Sequence, residues 1–151
     1  MKKLKIGVFG GYRGKTMINV LLHHEDAELV AVCDKYEPLL EDVRKSAEEA
    51  GCPVTCYRDF DAFLQHDMDA VVLANYANEH AVYAVRCLRA GKHVLSEVLP
   101  CETMAQAVEL IETVRNTGFF PLLGVDIESY FYNELDLEEY EPDPGSTMQY
   151  V

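Results

Sequence analysis

The sequence predicts an α/β protein built as a doubly wound parallel sheet. Three observations carry that prediction. Short apolar runs alternate with longer segments of helical period, and the alternation repeats along the chain. Two runs, Leu29-Val30-Ala31-Val32-Cys33 and Ala70-Val71-Val72-Leu73-Ala74, are continuously apolar, as strands covered by helices on both faces are. The first run ends in Gly10-Gly11-Tyr12-Arg13-Gly14, a glycine turn placed between a strand and a helical segment.

The elements follow in order. Leu4–Phe9 is the first strand, and a helical segment over 17–24 leaves the glycine turn. Strand 29–33 comes next. Pro38 suits a first helical position and Gly51 a stop, so a helix spans 39–50. Strand 54–57 precedes Asp59, a cap for a helix over 60–66. Strand 70–74 leads to Asn78, a cap for a helix over 79–90. Its Ala81, Ala84, Val85 and Leu88 share one face, and Gly91 ends it. His93–Ser96 is the fifth strand. Thr103 and Gln106 form a capping box for Met104–Thr117. There Met104, Ala107, Val108, Ile111 and Val114 read as the buried stripe, and Gly118 as the stop. The sixth strand falls at 119–125.

Composition narrows the function classes. The 151 residues suit one domain with a sizeable core. A formal net charge of −13 argues against nucleic acid, whose phosphates call for clustered Lys and Arg. No apolar run approaches the ~20 residues of a membrane span, and the N-terminus lacks the apolar core of a signal peptide. Five scattered Cys read as reduced thiols of a cytoplasmic protein. The charge is uneven: residues 127–151 hold seven acids and no Lys or Arg. That places an ordered domain at 1–126 and an acidic, irregular tail at 127–151.

Two motifs compete for the glycine turn. The dinucleotide fingerprint G-x-G-x-x-G finds its second half in Gly11-Tyr12-Arg13-Gly14, but Phe9 holds the first position and Gly10 is one residue late. The P-loop pattern finds its end in Gly14-Lys15-Thr16 and is also one residue short. A dinucleotide site further needs an acid ending the second strand, to accept bonds from the adenosine ribose. Asp34 stands there, which favours the dinucleotide. Its plainer alternative is a cap for the next helix. His80 reads equally as a local cap and as a cofactor contact. His23 and His24 read as helix C-terminal residues, and Cys33 and Cys87 as small buried hydrophobes. Cys52 and Cys56 lack a second ligand pair, so no metal site is expected.

Four blocks in order give the chain a family resemblance. They are Lys5-Ile6-Gly7-Val8-Phe9-Gly10, Val30-Ala31-Val32-Cys33-Asp34, Asp69-Ala70-Val71-Val72-Leu73-Ala74 with His80 beyond it, and Ala90-Gly91-Lys92-His93-Val94-Leu95-Ser96-Glu97. Over about 3–126 the chain resembles the N-terminal, Rossmann-like NAD(P)-binding domain of the Gfo/Idh/MocA oxidoreductases. The resemblance implies that Gly10, Gly11 and Gly14 hold the pyrophosphate, with Tyr12 and Arg13 nearby. It puts Asp34 at the adenosine ribose, which favours NAD; Lys35 or Arg13 keeps NADP open. It also puts Asn75, Tyr76 and His80 beside the nicotinamide half, and Glu97 at the nicotinamide ribose.

Two departures accompany the resemblance. Asn75-Tyr76-Ala77-Asn78-Glu79-His80 keeps only the His of the family's segment after the fourth strand. Glu97-Val98-Leu99-Pro100 puts Val98 where the family has a Lys that reaches the substrate, so no catalytic residue can be assigned. The family's second α/β domain has no counterpart after residue 126, which reads as truncation. The leading expectation is the cofactor domain of an oxidoreductase that moves hydride on a sugar or polyol-like substrate, once a substrate domain is supplied. Little activity is expected of this chain alone. The alternatives are a non-catalytic dinucleotide-binding or interaction module, using the sixth strand and aromatic tail for a partner or a homo-oligomer contact, and a P-loop-like nucleotide binder.

Overall fold

Rows of Val, Leu and Ala without polar alternation are buried only when helices cover both faces of a sheet. The computed structural model describes residues 2–119 and the strand at 121–123. Six strands form one parallel sheet: β1 (Leu4–Phe9), β2 (Ala27–Cys33), β3 (Thr55–Tyr57), β4 (Ala70–Leu73), β5 (His93–Ser96) and β6 (Pro121–Leu123). Their order is β3-β2-β1-β4-β5-β6. Between them lie α1 (Lys15–His23), α2 (Glu37–Glu49), α3 (Phe60–Leu64), α4 (His80–Arg89) and α5 (Met104–Thr117). A 3₁₀ turn at Ala77–Glu79 leads into α4.

The chain winds both ways from β1. Helices α1 and α2 cover one face, burying Ile18, Leu21, Leu40 and Val43 against Val8, Val32 and Val72. Helices α3, α4 and α5 cover the other, burying Phe63, Leu88 and Leu110 against Phe9, Ala31 and Val71. Each large apolar side chain buried this way contributes roughly 1.5–3 kcal/mol. Strand order reverses between β1 and β4, and there a crevice opens beyond the carboxyl ends of the strands.

Most expected elements are present, with shifted ends. Strand β2 opens at Ala27, and α3 stops at Leu64. Asp59 caps α3 by accepting from the Ala62 N–H, and Thr103 and Gln106 form both bonds of the expected capping box. Asn78 does not cap α4. It lies inside the 3₁₀ turn, and α4 begins at His80 with no side-chain cap.

The expected stripe of α5 is also corrected. Met104, Val108 and Ile111 are 80%, 51% and 51% exposed, whereas Leu110 and Thr113 are buried. Ala107 and Val114 of the expected stripe are partly buried, Val114 against the core, so the helix packs on α4 through a face rotated from the expected one rather than opposite to it. Thr113 enters the core because its Oγ1 donates to the Glu109 carbonyl at 2.7 Å, so no hydroxyl is left unsatisfied. The proposed tail at 127–151 lies outside the described residues. No helix among the described residues is long and apolar enough to cross a membrane.

Candidate functional site

The crevice is built first by the turn after β1. Gly10 has φ +94°, and a Cβ there would lie 2.5 Å from the backbone of Ala74 and Asn75. Only glycine fits both the dihedral and the approach. Its N–H donates to the Cys33 carbonyl at 2.9 Å, pinning the turn between β2 and β4. Gly10 thus does the work of the first glycine of the fingerprint, which corrects the expectation that Phe9 takes that position. Phe9 instead packs between Phe60 and Tyr83, with ring centroids 4.7 and 4.6 Å away. At Gly14 a Cβ would meet Val8 Cγ1 at 2.6 Å and the Gly10 oxygen at 2.8 Å. That contact lets α1 lie against β1 and point its N-terminus into the crevice.

Asp34 follows β2 and is braced by two backbone donors. Its Oδ2 accepts from the Gly11 N–H at 2.8 Å and its Oδ1 from the Tyr36 N–H at 2.9 Å. Each oxygen keeps a lone pair for a ligand hydroxyl. Asp34 does not cap α2, whose N-cap is Tyr36. A cavity of about 470 Å³ lies against this carboxylate, lined also by Gly10, Tyr12, Arg13, Asn75 and Tyr76. A second cavity of about 260 Å³ lies on the other side of the turn, lined by Gly14, Met17, Leu95 and Glu97. Arg13 borders both.

Two buried polar atoms at the crevice have no partner: Asn75 Oδ1 and Glu97 Oε2. Buried polar atoms are satisfied in folded proteins, so orphans at a cavity wall mark where a ligand's donors belong. Together with the glycine turn and Asp34, they fit a dinucleotide lying across the turn. Asp34 would hold one ribose, the Gly10–Gly14 backbone the phosphates, and Glu97 the other ribose.

His80 stands behind these walls. It is fully buried, with Nδ1 2.7 Å from Ser96 Oγ and Nε2 3.2 Å from the Asn75 carbonyl. It reaches the crevice through those two neighbours rather than from a surface position. Burial holds its pKa below the ordinary histidine value, opposed by the Asn75 carbonyl and by Glu97. The thiols of Cys33 and Cys87 are buried and pushed up to about 12, which leaves them protonated and inert.

The structure brings Gly10, Tyr12, Arg13, Asp34, Asn75 and Tyr76 to one cavity, and Gly14 and Glu97 to the other. Asn75 and Tyr76, expected beside the nicotinamide half with Glu97, thus stand with Asp34 instead, because the chain after β4 runs along the Asp34 side of the glycine turn. The Gly11 N–H meets Asp34, and Val98 follows Glu97 on the loop after β5. Sequence reasoning missed Ser96, whose hydroxyl joins His80 to Val98, and Phe9, which lines the larger cavity. A small polar residue directly before a strand-end acid was the available signal for Ser96. No cluster able to hold a metal is present among the described residues.

Fold and site define a dinucleotide-binding Rossmann domain. A family model described as an oxidoreductase family with an NAD-binding Rossmann fold, Gfo/Idh/MocA, matches residues 4–122. The chain belongs to this family, and these residues are its NAD-binding domain. The match places the glycine turn with dinucleotides rather than with the P-loop alternative. Scyllo-inositol dehydrogenase from Lactobacillus casei, in its structure with bound NAD(H) and scyllo-inositol, superposes with a TM-score of 0.76 at 26% identity. The match covers 91% of this chain and 42% of that one. Glycosyl hydrolase family 109 protein 1 of Bacteroides thetaiotaomicron is 28% identical over 131 residues, 78% of this chain and 27% of the relative. A 4-carboxy-2-hydroxymuconate-6-semialdehyde dehydrogenase of Sphingobium is 27% identical, over 80% of this chain and 38% of the relative. The chain thus spans less than half the length of the relatives it matches.

Proposed function

We propose that the chain is the cofactor half of an oxidoreductase acting on a sugar or polyol-like substrate, with NAD as its dinucleotide in preference to NADP. The observation that carries this reading is the pair of strand-end acids, Asp34 and Glu97, set on either side of one glycine turn. Similarity to an inositol dehydrogenase that binds NAD(H) and scyllo-inositol supports the substrate class. When bound, the nicotinamide supplies hydride chemistry at a carbinol carbon.

The chain's own residues bind and orient. The Asp34 carboxylate accepts from a free 2′-OH and repels a 2′-phosphate, while Arg13 and Lys35 at the same cavity temper that repulsion. Glu97, with one oxygen unpartnered, accepts from a ribose hydroxyl at the other cavity. Val98 supplies neither charge nor proton, so a group outside these residues must stabilise the developing alkoxide. Val98 also favours the second reading, a module that holds a dinucleotide without turning it over. Calorimetric titration with NADH and NADPH tests the assignment: tighter NADH binding is expected, and binding of neither overturns it. Turnover of inositols and aldoses by a longer chain that includes this domain separates the two readings.

A further inference from the structure

The contacts of His80 contain one proton more than a neutral ring can provide. Nδ1 meets Ser96 Oγ at 2.7 Å, Nε2 meets the Asn75 carbonyl at 3.2 Å, and Ser96 Oγ donates to the Val98 carbonyl at 2.7 Å. The two carbonyls only accept, and the serine hydroxyl carries a single hydrogen. If that hydrogen goes to Val98, Nδ1 must donate to Oγ and Nε2 must donate to Asn75. Both ring nitrogens then carry protons, as only the imidazolium does. A neutral ring closes two of the three contacts and leaves the third open.

The three contacts connect the walls of the crevice. Asn75 lies just beyond β4 and lines the larger cavity, and Ser96 and Val98 flank Glu97, which lines the smaller one. We propose that His80 is a positioning residue that acts as a proton-dependent tie: its imidazolium joins the two strand-end loops and so fixes Glu97 at the smaller cavity. When the ring is neutral, Nε2–H keeps the Asn75 carbonyl, the Ser96 hydroxyl turns to Nδ1, and the Val98 carbonyl loses its donor. Glu97 then sits on a loop with one restraint fewer.

The charges that face the ring come from three elements. Glu97 on the loop after β5 and Glu79 before α4 favour the imidazolium, and Arg13 on the glycine turn opposes it. Burial opposes it more strongly, so the tie closes on the acid side of the ordinary histidine range. The role assigned to Glu97 rests on the cofactor reading above, whereas the tie itself does not.

Nitrogen-15 spectra of the histidine rings and backbone, followed against pH in the full chain, test the tie directly. The His80 ring is expected to pass from doubly protonated to the Nε2–H tautomer as pH rises, with the amides of Val98 and Leu99 shifting at the same midpoint. Ser96→Ala is expected to abolish that shift while the ring still titrates. A ring that stays neutral throughout the folded range overturns the proposal, as does a loop that ignores a titrating ring. NADH fluorescence supplies the second measurement. Affinity is expected to weaken about 3–10-fold as pH rises through the midpoint, the equivalent of one hydrogen bond, and to stay flat in Ser96→Ala. A flat profile in the unaltered chain overturns the link to Glu97. Absence of NADH binding at every pH overturns the cofactor reading, and the ring and loop titration then still decides the tie.

Discussion

At the scale of single residues, two glycines of one turn differ in what surrounds them. A methyl at Gly14 would meet Val8 Cγ1 and the Gly10 carbonyl, neither of which can step aside. Gly14→Ala is therefore expected to destabilise the fold by about 1–3 kcal/mol, read by urea denaturation. A Cβ at Gly11 would clash with the movable end of the Leu39 side chain at 2.4 Å and make ordinary contact with Asp34 Oδ2 at 3.6 Å. Gly11→Val should keep the fold yet remove NADH binding by crowding the phosphate path, so normal binding by titration would place the phosphates elsewhere. Asp34→Ala should weaken NADH binding about tenfold and narrow the gap to NADPH, since it removes both the acceptor and the repelling charge. Asp34 and the glycines were legible in the sequence because their chemistry is local. The tie through Ser96 was not, because residues 80 and 96 meet only once β4 and β5 pair.

Elements were legible where their ends carried chemistry. Thr103 and Gln106 announced α5 and Asp59 announced α3, because capping bonds form within one turn of chain. The inward face of α5 was legible only in part, at Ala107 and Val114. Periodicity ranks Met104, Val108 and Ile111 as core, but docking on α4 turns Leu110 and Thr113 inward. Two substitutions separate these registers: Leu110→Ala should cost about 2–4 kcal/mol, and Ile111→Gln should stay within about 0.5 kcal/mol. Equal losses in thermal or urea melts would return the helix to the face that hydropathy picks. The turn before α4 escaped for a related reason. Its path is set by His80 reaching back to the Asn75 carbonyl, a contact that no cap rule contains.

For the whole molecule, acid should weaken the fold. Burial lowers the pKa of both His66 and His80 below the ordinary value. Between their native values and about 6.5 the unfolded chain binds more protons, so stability rises with pH across that window, falls as pH drops through it, and takes no further loss from these rings below it. A melting temperature unchanged from pH 7 to 5 would show that neither ring is desolvated as described. These 151 residues alone are also expected to bind NADH without turning over inositols or aldoses, measured at 340 nm. Val98, which the resemblance puts where a Lys would reach the substrate, offers no proton or charge, and each such group is typically worth ~10²-fold or more in rate. The doubly wound sheet was legible throughout, because its βα alternation and buried strands are written in short windows. The division of its crevice into two cavities appears only when β1 and β4 lie side by side.

That division makes the crevice a pair of half-sites joined at one cation. About 470 Å³ on one side and about 260 Å³ on the other meet at Arg13, where the two phosphates of a dinucleotide would cross. Each half-site taken alone should hold a mononucleotide weakly, AMP at the Asp34 side and nicotinamide mononucleotide at the Glu97 side. Tethering the two halves makes capture of the second intramolecular, which can raise affinity by about 10²–10⁴ without any new contact. The domain thus reads its ligand as a linked pair, and competition experiments should show AMP and the nicotinamide mononucleotide displacing NADH separately, each at far higher concentration than the joined molecule.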